Sequence, residues 1–224
     1  MGGPRTVEPT PLEIRERHYE EFFGPITEPV VHSIDSKVPH IDIYQFAPHG
    51  ERDFWTLITG GMSDEPQFLP DSVPEYVTGR TEIMMYVRQP EGWMFNVLKG
   101  LAGMPFDDLT FLHWWHSVPN GKPMTVQPSR LTNFLFLPPY HEDDGFDELK
   151  IGDTKIHILW LVPITDAELK YKLDHGAEAL LEVFDDRGLD IVVDEDRQSL
   201  VERLRVVTMA SCAFAGRTTP TAIV

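Results

Sequence analysis

The stretch Phe54-Trp55-Thr56-Leu57-Ile58-Thr59-Gly60-Gly61-Met62-Ser63-Asp64 decides how this chain is read. Six residues suited to the pleated conformation run into a double glycine and then a small polar turn. Apolar or β-branched side chains occupy both faces of the run, which marks a central strand covered on both sides. Gly60 and Gly61 reach backbone angles closed to other residues. The strand therefore ends abruptly, at a sharp turn or where another segment packs against bare backbone. No basic residue lies between 54 and 64, and the stretch matches no phosphate-binding glycine motif.

Working outward, the spacing predicts a helix over 11–23. Thr10 and Glu13 form a capping box, Pro11 takes the favoured first position, and Gly24 and Pro25 stop it. Strand patterns follow at 30–34, 41–46 and 54–59, with a Pro-, Ser- and acid-rich loop over 62–79. Residues 80–88 read as a strand with Thr81, Ile83, Met85 and Val87 on one face. A helix over 91–101 places Trp93, Val97 and Leu101 together, and Pro105 ends it. Further strands are expected at 112–118, 133–137 and 155–162. A long helix over 166–186, opened by the capping box of Thr165 and Glu168, buries Leu169, Leu173, Leu180 and Phe184. Gly176 inside it implies close packing on a neighbour. A short strand at 191–193 and a last helix at 195–205 complete the pattern. Residues 1–10 read as a flexible N-terminus, 11–206 as one domain and 207–224 as a disordered tail. Strands and helices mix without regular alternation, so the expected fold class is mixed α/β (α+β): a mixed sheet with helices packed on its faces.

Composition narrows the function. The chain has 224 residues, 42% of them hydrophobic, enough for one domain core. It has no apolar run of membrane-spanning length, no secretory signal pattern and a single cysteine, all of which point to the cytoplasm. Met1-Gly2-Gly3 fits only a loose acylation pattern, with no basic cluster behind it. The formal net charge is −17, and residues 141–202 hold 18 of the 36 acids against six Lys or Arg. Such a surface repels nucleic acid and anionic membranes and attracts a basic protein partner.

Candidate chemistry is sparse. His113-Trp114-Trp115-His116 lies in the 112–118 strand pattern, where alternation sends the two histidines to opposite faces. A metal-assisted hydrolase built on His113 and His116 would need ligands from distant segments. Core or interface packing by the tryptophans is the simpler reading, and Trp115 in particular reads as core. His141-Glu142-Asp143-Asp144-Gly145 lacks the alternating spacing of a calcium loop and reads as a solvated acidic loop suited to a basic partner. Asp107-Asp108 and Asp185-Asp186 are adjacent pairs, which do not set two carboxylates across one cavity. No nucleophile elbow, phosphate loop, dinucleotide fingerprint or zincin motif is present. Neither an enzyme nor a cofactor is indicated.

Six pieces, in order over about residues 12–195, resemble the Suppressor of fused-like (SUFU-like) domain family. They are Ile41-Asp42-Ile43-Tyr44, the 54–64 block, Thr81-Glu82-Ile83-Met84-Met85, Trp115-His116-Ser117 with Pro119-Asn120-Gly121, Phe136-Leu137-Pro138-Pro139, and Tyr171-Lys172-Leu173-Asp174-His175-Gly176. The resemblance implies a mixed α/β domain that binds protein rather than catalyses. Animal members look like sequestering partners of a transcription factor and carry a second domain, for which this chain has no room. Similar bacterial single-domain chains look like immunity proteins of polymorphic toxin systems, whose partner here would be a basic toxin domain. The expected partner-binding residues are Trp115, His116, Asp107, Asp108, Asp143 and Asp144, with strand addition at a sheet edge as the expected mode.

Overall fold

A computed structural model describes residues 8–32, 39–125 and 129–201. Its centre is a six-stranded mixed sheet in the order β1-β2-β3-β8-β5-β4. These strands are β1 (Asp42–Phe46), β2 (Trp55–Gly60), β3 (Thr81–Val87), β4 (Ser117–Pro119), β5 (Leu131–Leu137) and β8 (His157–Thr165). All neighbours are antiparallel except β3 and β8, which run parallel from Thr81 opposite His157 to Met84 opposite Trp160. A small hairpin, β6 (Lys150–Ile151) with β7 (Thr154–Lys155), stands apart from the sheet.

Helices cover both faces, which is why β3 and β8 are buried along their whole length. On one face α1 (Pro11–Phe23) and α4 (Ala177–Arg187) pack Tyr19, Phe23, Leu180 and Phe184 against Tyr44, Ile58, Met84, Tyr86 and Trp160. On the other, α2 (Gly92–Asp107) sets Met94, Leu98 and Leu101 against Ile43, Leu57, Ile83, Met85 and Leu159. The alternation read from 80–88 holds: Ile83, Met85 and Val87 face α2, while Met84 and Tyr86 face α1. The expected α1 and both capping boxes are present. No helix among the described residues is long and apolar enough to cross a membrane.

The double glycine does what the sequence implied. Gly61 has φ +99, and a Cβ there would lie 2.1 Å from the His40 carbonyl oxygen. A Cβ on Gly60 would lie 2.5 Å from the Tyr44 ring. Bare backbone is therefore required where residue 40 and β1 press against the turn. The turn is fastened from below by Glu82, a wholly buried carboxylate on β3. It accepts hydrogen bonds from Thr59 Oγ1 at 2.6 Å, Gly61 N at 3.0 Å, Ser63 N at 3.1 Å and Ser63 Oγ at 2.6 Å. Arg15 of α1, 2% exposed, brings its Nη1 within 3.6 Å of Glu82 and 2.8 Å of Asp64. Burial alone would favour a neutral guanidine. Glu82, Tyr19 and Asp64 outweigh it and keep Arg15 firmly charged.

Several expectations are corrected. The 91–101 helix continues through Pro105 to Asp107: the proline forfeits the one bond its own nitrogen would make, its ring is buried, and the ladder continues beyond it with Asp108 N donating to Met104 O at 2.9 Å. Its inward face is Met94, Leu98, Leu101 and Ala102, with Trp93 and Val97 at the margin. The helix over 166–186 is two helices, α3 (Asp166–His175) and α4, broken at Gly176. Gly176 has φ +94 and open space around it, so it serves the bend and not close packing. Leu173 is consequently 71% exposed. Residues 195–201 form turns rather than a helix, because Glu168 and Arg197 hold them in an irregular path. Residues 30–34 give only a bridge, Val31 to Ile43, and 191–193 only a bridge, Val192 to Tyr86. Residues 33–34 and 202–205, the N-terminal seven residues and the tail expected over 207–224 lie outside the described residues.

Candidate partner-binding site

Trp115 and His116 lie at the last edge of the sheet, but not within a seven-residue strand. The His116 N–H donates to the His113 carbonyl at 3.2 Å, closing a turn, and Trp115 takes φ +72. A left-handed residue cannot continue a pleated strand, so β4 begins only at Ser117. Pairing with β5 is nonetheless carried past the turn. Trp115 N donates to Phe136 O at 2.7 Å, and Phe136 N donates to His116 O at 3.0 Å. The turn sorts the two tryptophans. Trp114 packs against the α2-face core and donates Nε1 to Ile158 O at 2.9 Å. Trp115 stands 40% exposed, which corrects its assignment to the core.

The two histidines also part. His113 is buried against His157 and Trp114, with ring centroids 4.8 and 5.0 Å away. His116 packs edge-on to Phe111 at 4.8 Å. Neither belongs to a group of three metal-capable side chains among the described residues, so the geometry lends no support to a hydrolase centre built on that pair.

Next to β4 runs an apolar groove. Trp93, Val97 and Met104 of α2 form one wall, and Val118, Met124 and Phe134 the other. The marginal position of Trp93 and Val97 on α2 is what makes them groove residues. Asp107 closes α2 and Asp108 caps it, both exposed beside Leu109, which has φ +51 and an exposed side chain. Asp107 and Asp108 thus ride on the end of α2, while Trp115 sits just ahead of β4, outside the lining of the groove.

Asp143 and Asp144 are exposed, but their loop is anchored on the other face. Phe146 packs on His18, Phe22 and Phe23 of α1. Glu142 is not solvated, as had been expected of this loop. Its carboxylate is 3% exposed and takes both Nη atoms of Arg52, at 3.1 and 2.6 Å, together with the Tyr86 hydroxyl. The six expected site residues are therefore split between segments anchored on opposite faces. The groove and the Arg52–Glu142 bridge went unread in the sequence. The groove needs three distant segments, and Arg52 stands between Glu51 and Asp53, where a local pairing hides its partner 90 positions away.

His113 gives the site a pH response. Burial first, then the neighbouring His157 and His116, pull its pKa down from 6.5 to about 4. The folded protein thus keeps His113 neutral at pH values where the unfolded chain has taken up a proton. Its contribution is complete above pH 6.5 and is lost as pH falls from there towards 4. Between pH 7 and pH 4 the urea-unfolding free energy of the wild type should fall by about 3 kcal/mol more than that of His113→Phe. Parallel pH profiles for the two proteins would refute this account.

The family profile described as Suppressor of fused protein (SUFU) matches residues 37–198. Among solved structures, the chain is similar to a SUFU homologue from Neisseria gonorrhoeae, with 21% identity and a TM-score of 0.61 over 85% of this chain and 94% of that one. It is similar to a chain of the Sufu–Fu complex, with 18% identity and a TM-score of 0.64 over 90% and 96% of the two chains. Drosophila Suppressor of Fused aligns with 17% identity and a TM-score of 0.52 over 78% of this chain and 46% of its own. No curated protein matches. At these identities the structural likenesses establish the fold alone.

Proposed function

Because this chain belongs to the Suppressor of fused family, we propose that it is a non-catalytic protein-binding module, and that it works as an immunity protein which binds and occludes a basic toxin domain. The observation that carries the reading is the edge of β4. That strand ends the sheet, Trp115 stands exposed beside it, and an apolar groove runs along it with Asp107 and Asp108 nearby. An exposed tryptophan and an apolar groove at one sheet edge are the usual anatomy of a binding hot spot. A strand of three residues, one of them Pro119, leaves β4 little room to pair with an added strand, so the groove and Trp115 carry more of the affinity than backbone pairing does. The net charge of −17 favours encounter with a basic partner. Recognition of a Fu chain in the Sufu–Fu complex accords with protein binding by this fold.

The test is to look for a toxin gene beside this one and to titrate the chain with the toxin domain it encodes. A stoichiometric complex that blocks the toxin, with affinity falling as salt rises, is the expected result. Trp115→Ala should weaken binding by about 2 kcal/mol, as loss of a hot-spot anchor does. Asp107→Lys with Asp108→Lys should weaken it chiefly at low salt, where exposed charges are poorly screened. Absence of binding would remove the immunity reading. Binding unchanged by all three substitutions would move the site elsewhere.

A further inference from the structure

The opposite edge of the sheet carries a cluster unrelated to that surface. His32 Nδ1 and His40 Nε2 each lie 3.1 Å from Oδ1 of Asp42. The three ligand atoms fall within 4.8 Å of one another, and no other group of His, Cys, Asp or Glu among the described residues does so. The Asp42 oxygen is shielded from solvent yet makes no hydrogen bond. A carboxylate oxygen in that position is costly unless a proton on one of the two imidazoles or a bound cation compensates it. The two 3.1 Å separations from Asp42 suit a bound cation: bonds of about 2.0–2.1 Å in a tetrahedral site set ligand atoms roughly 3.3 Å apart.

Each ligand rests on backbone that the fold fixes independently. Asp42 opens β1 opposite Gly60. Val31, just before His32, exchanges both backbone hydrogen bonds with Ile43 at 2.9 and 3.2 Å. Lys99 of α2 donates to the His32 carbonyl at 2.8 Å, so this cation is engaged by the backbone. The His40 carbonyl occupies the space that Gly61 leaves open. Ligands carried on fixed backbone need little reorganisation to bind.

We propose that His32, His40 and Asp42 bind one divalent transition-metal ion, zinc above all, and that the ion clamps residues 31 and 32 onto the outer edge of β1. Two imidazoles and one carboxylate suit zinc, whereas magnesium and calcium call for oxygen ligands throughout. Three protein ligands leave a fourth position for water. His32 and His40 stand eight residues apart, so the ion closes a loop. It also holds cover over a sheet edge otherwise open to pairing.

The test titrates the full chain with Zn²⁺ by thermal unfolding and with Co²⁺ by visible absorption. One ion per chain is expected, with the absorption of a tetrahedral nitrogen–oxygen site. At about a hundredfold excess over Kd the Tm should rise by about 5–10 °C. Removing a ligand should cost affinity, so His32→Ala and His40→Ala should each weaken binding by roughly tenfold or more, and the double variant should lose it. Both side chains are exposed, so near-UV circular dichroism should report an unchanged core. His175→Ala removes an exposed histidine elsewhere and should change nothing. Equal binding by wild type and double variant, or no binding by the wild type, overturns the proposal.

Discussion

Glu82→Gln is expected to destabilise the protein by about 3–5 kcal/mol, the cost of breaking a buried ion pair by removing one partner. The carboxylate accepts four hydrogen bonds, three of them from the turn that follows β2. A neutral amide keeps the size but turns an acceptor into a donor, and faces either Thr59 Oγ1 or the Gly61 and Ser63 N–H groups with the wrong polarity. Thr59 Oγ1 already accepts from Ile83 N at 2.8 Å, so its own proton would lose its partner. Arg15 would keep its charge beside Asp64 alone. Equilibrium urea unfolding measures the loss. Arg15→Met should also be costly. The double variant Arg15→Met with Glu82→Gln should cost less than the two single losses added, because no buried charge is stranded. A loss below about 1 kcal/mol for Glu82→Gln would mean that the turn is held by its glycines and not by this carboxylate.

What the sequence yielded, and what it withheld, follows from the range of the interactions involved. The end of β2 was legible because a strand running into Gly60-Gly61 is a local signal, and both capping boxes were legible for the same reason. The mixed sheet followed from the irregular alternation of elements. The role of Glu82 was not legible. A glutamate inside Thr81-Glu82-Ile83-Met84-Met85 looks like an ordinary strand residue until Arg15 and Ser63 arrive from 67 and 19 positions away. The break at Gly176 was misread because a glycine in a helical pattern can mean close packing or a bend, and only φ separates them. At the candidate site, Trp115 was found but placed in the core. Nothing local distinguishes Trp114 from Trp115; the left-handed turn between His113 and His116 does. The groove and the His32–His40–Asp42 cluster depend on contacts between segments, and no spacing rule announces either.

Gly61→Ala is the second large effect, and its cause can be isolated. Two costs apply to it. An L-residue at φ +99 is strained, at about 1–2 kcal/mol. The added Cβ would also lie 2.1 Å from the His40 carbonyl oxygen, an overlap that no side-chain rotation relieves because the obstacle is backbone. Gly145→Ala supplies the control, since φ +99 and ψ −14 there match φ +99 and ψ −17 at Gly61, and the nearest atom to a Cβ is Phe22 Cζ at 3.9 Å, an ordinary contact. Gly145→Ala should therefore cost about 1–2 kcal/mol, and Gly61→Ala about 2 kcal/mol more, the overpacking cost added to the strain. The difference between the two unfolding free energies measures the clash alone. Relief of the overlap requires His40 to withdraw from the turn, and that movement carries its ring away from Asp42. Gly61→Ala should accordingly weaken zinc binding without altering a ligand, whereas Gly145→Ala should leave it intact. Equal destabilisation by the two substitutions would show that the backbone at residue 40 yields freely, and that the glycine turn does not fix the position of His40.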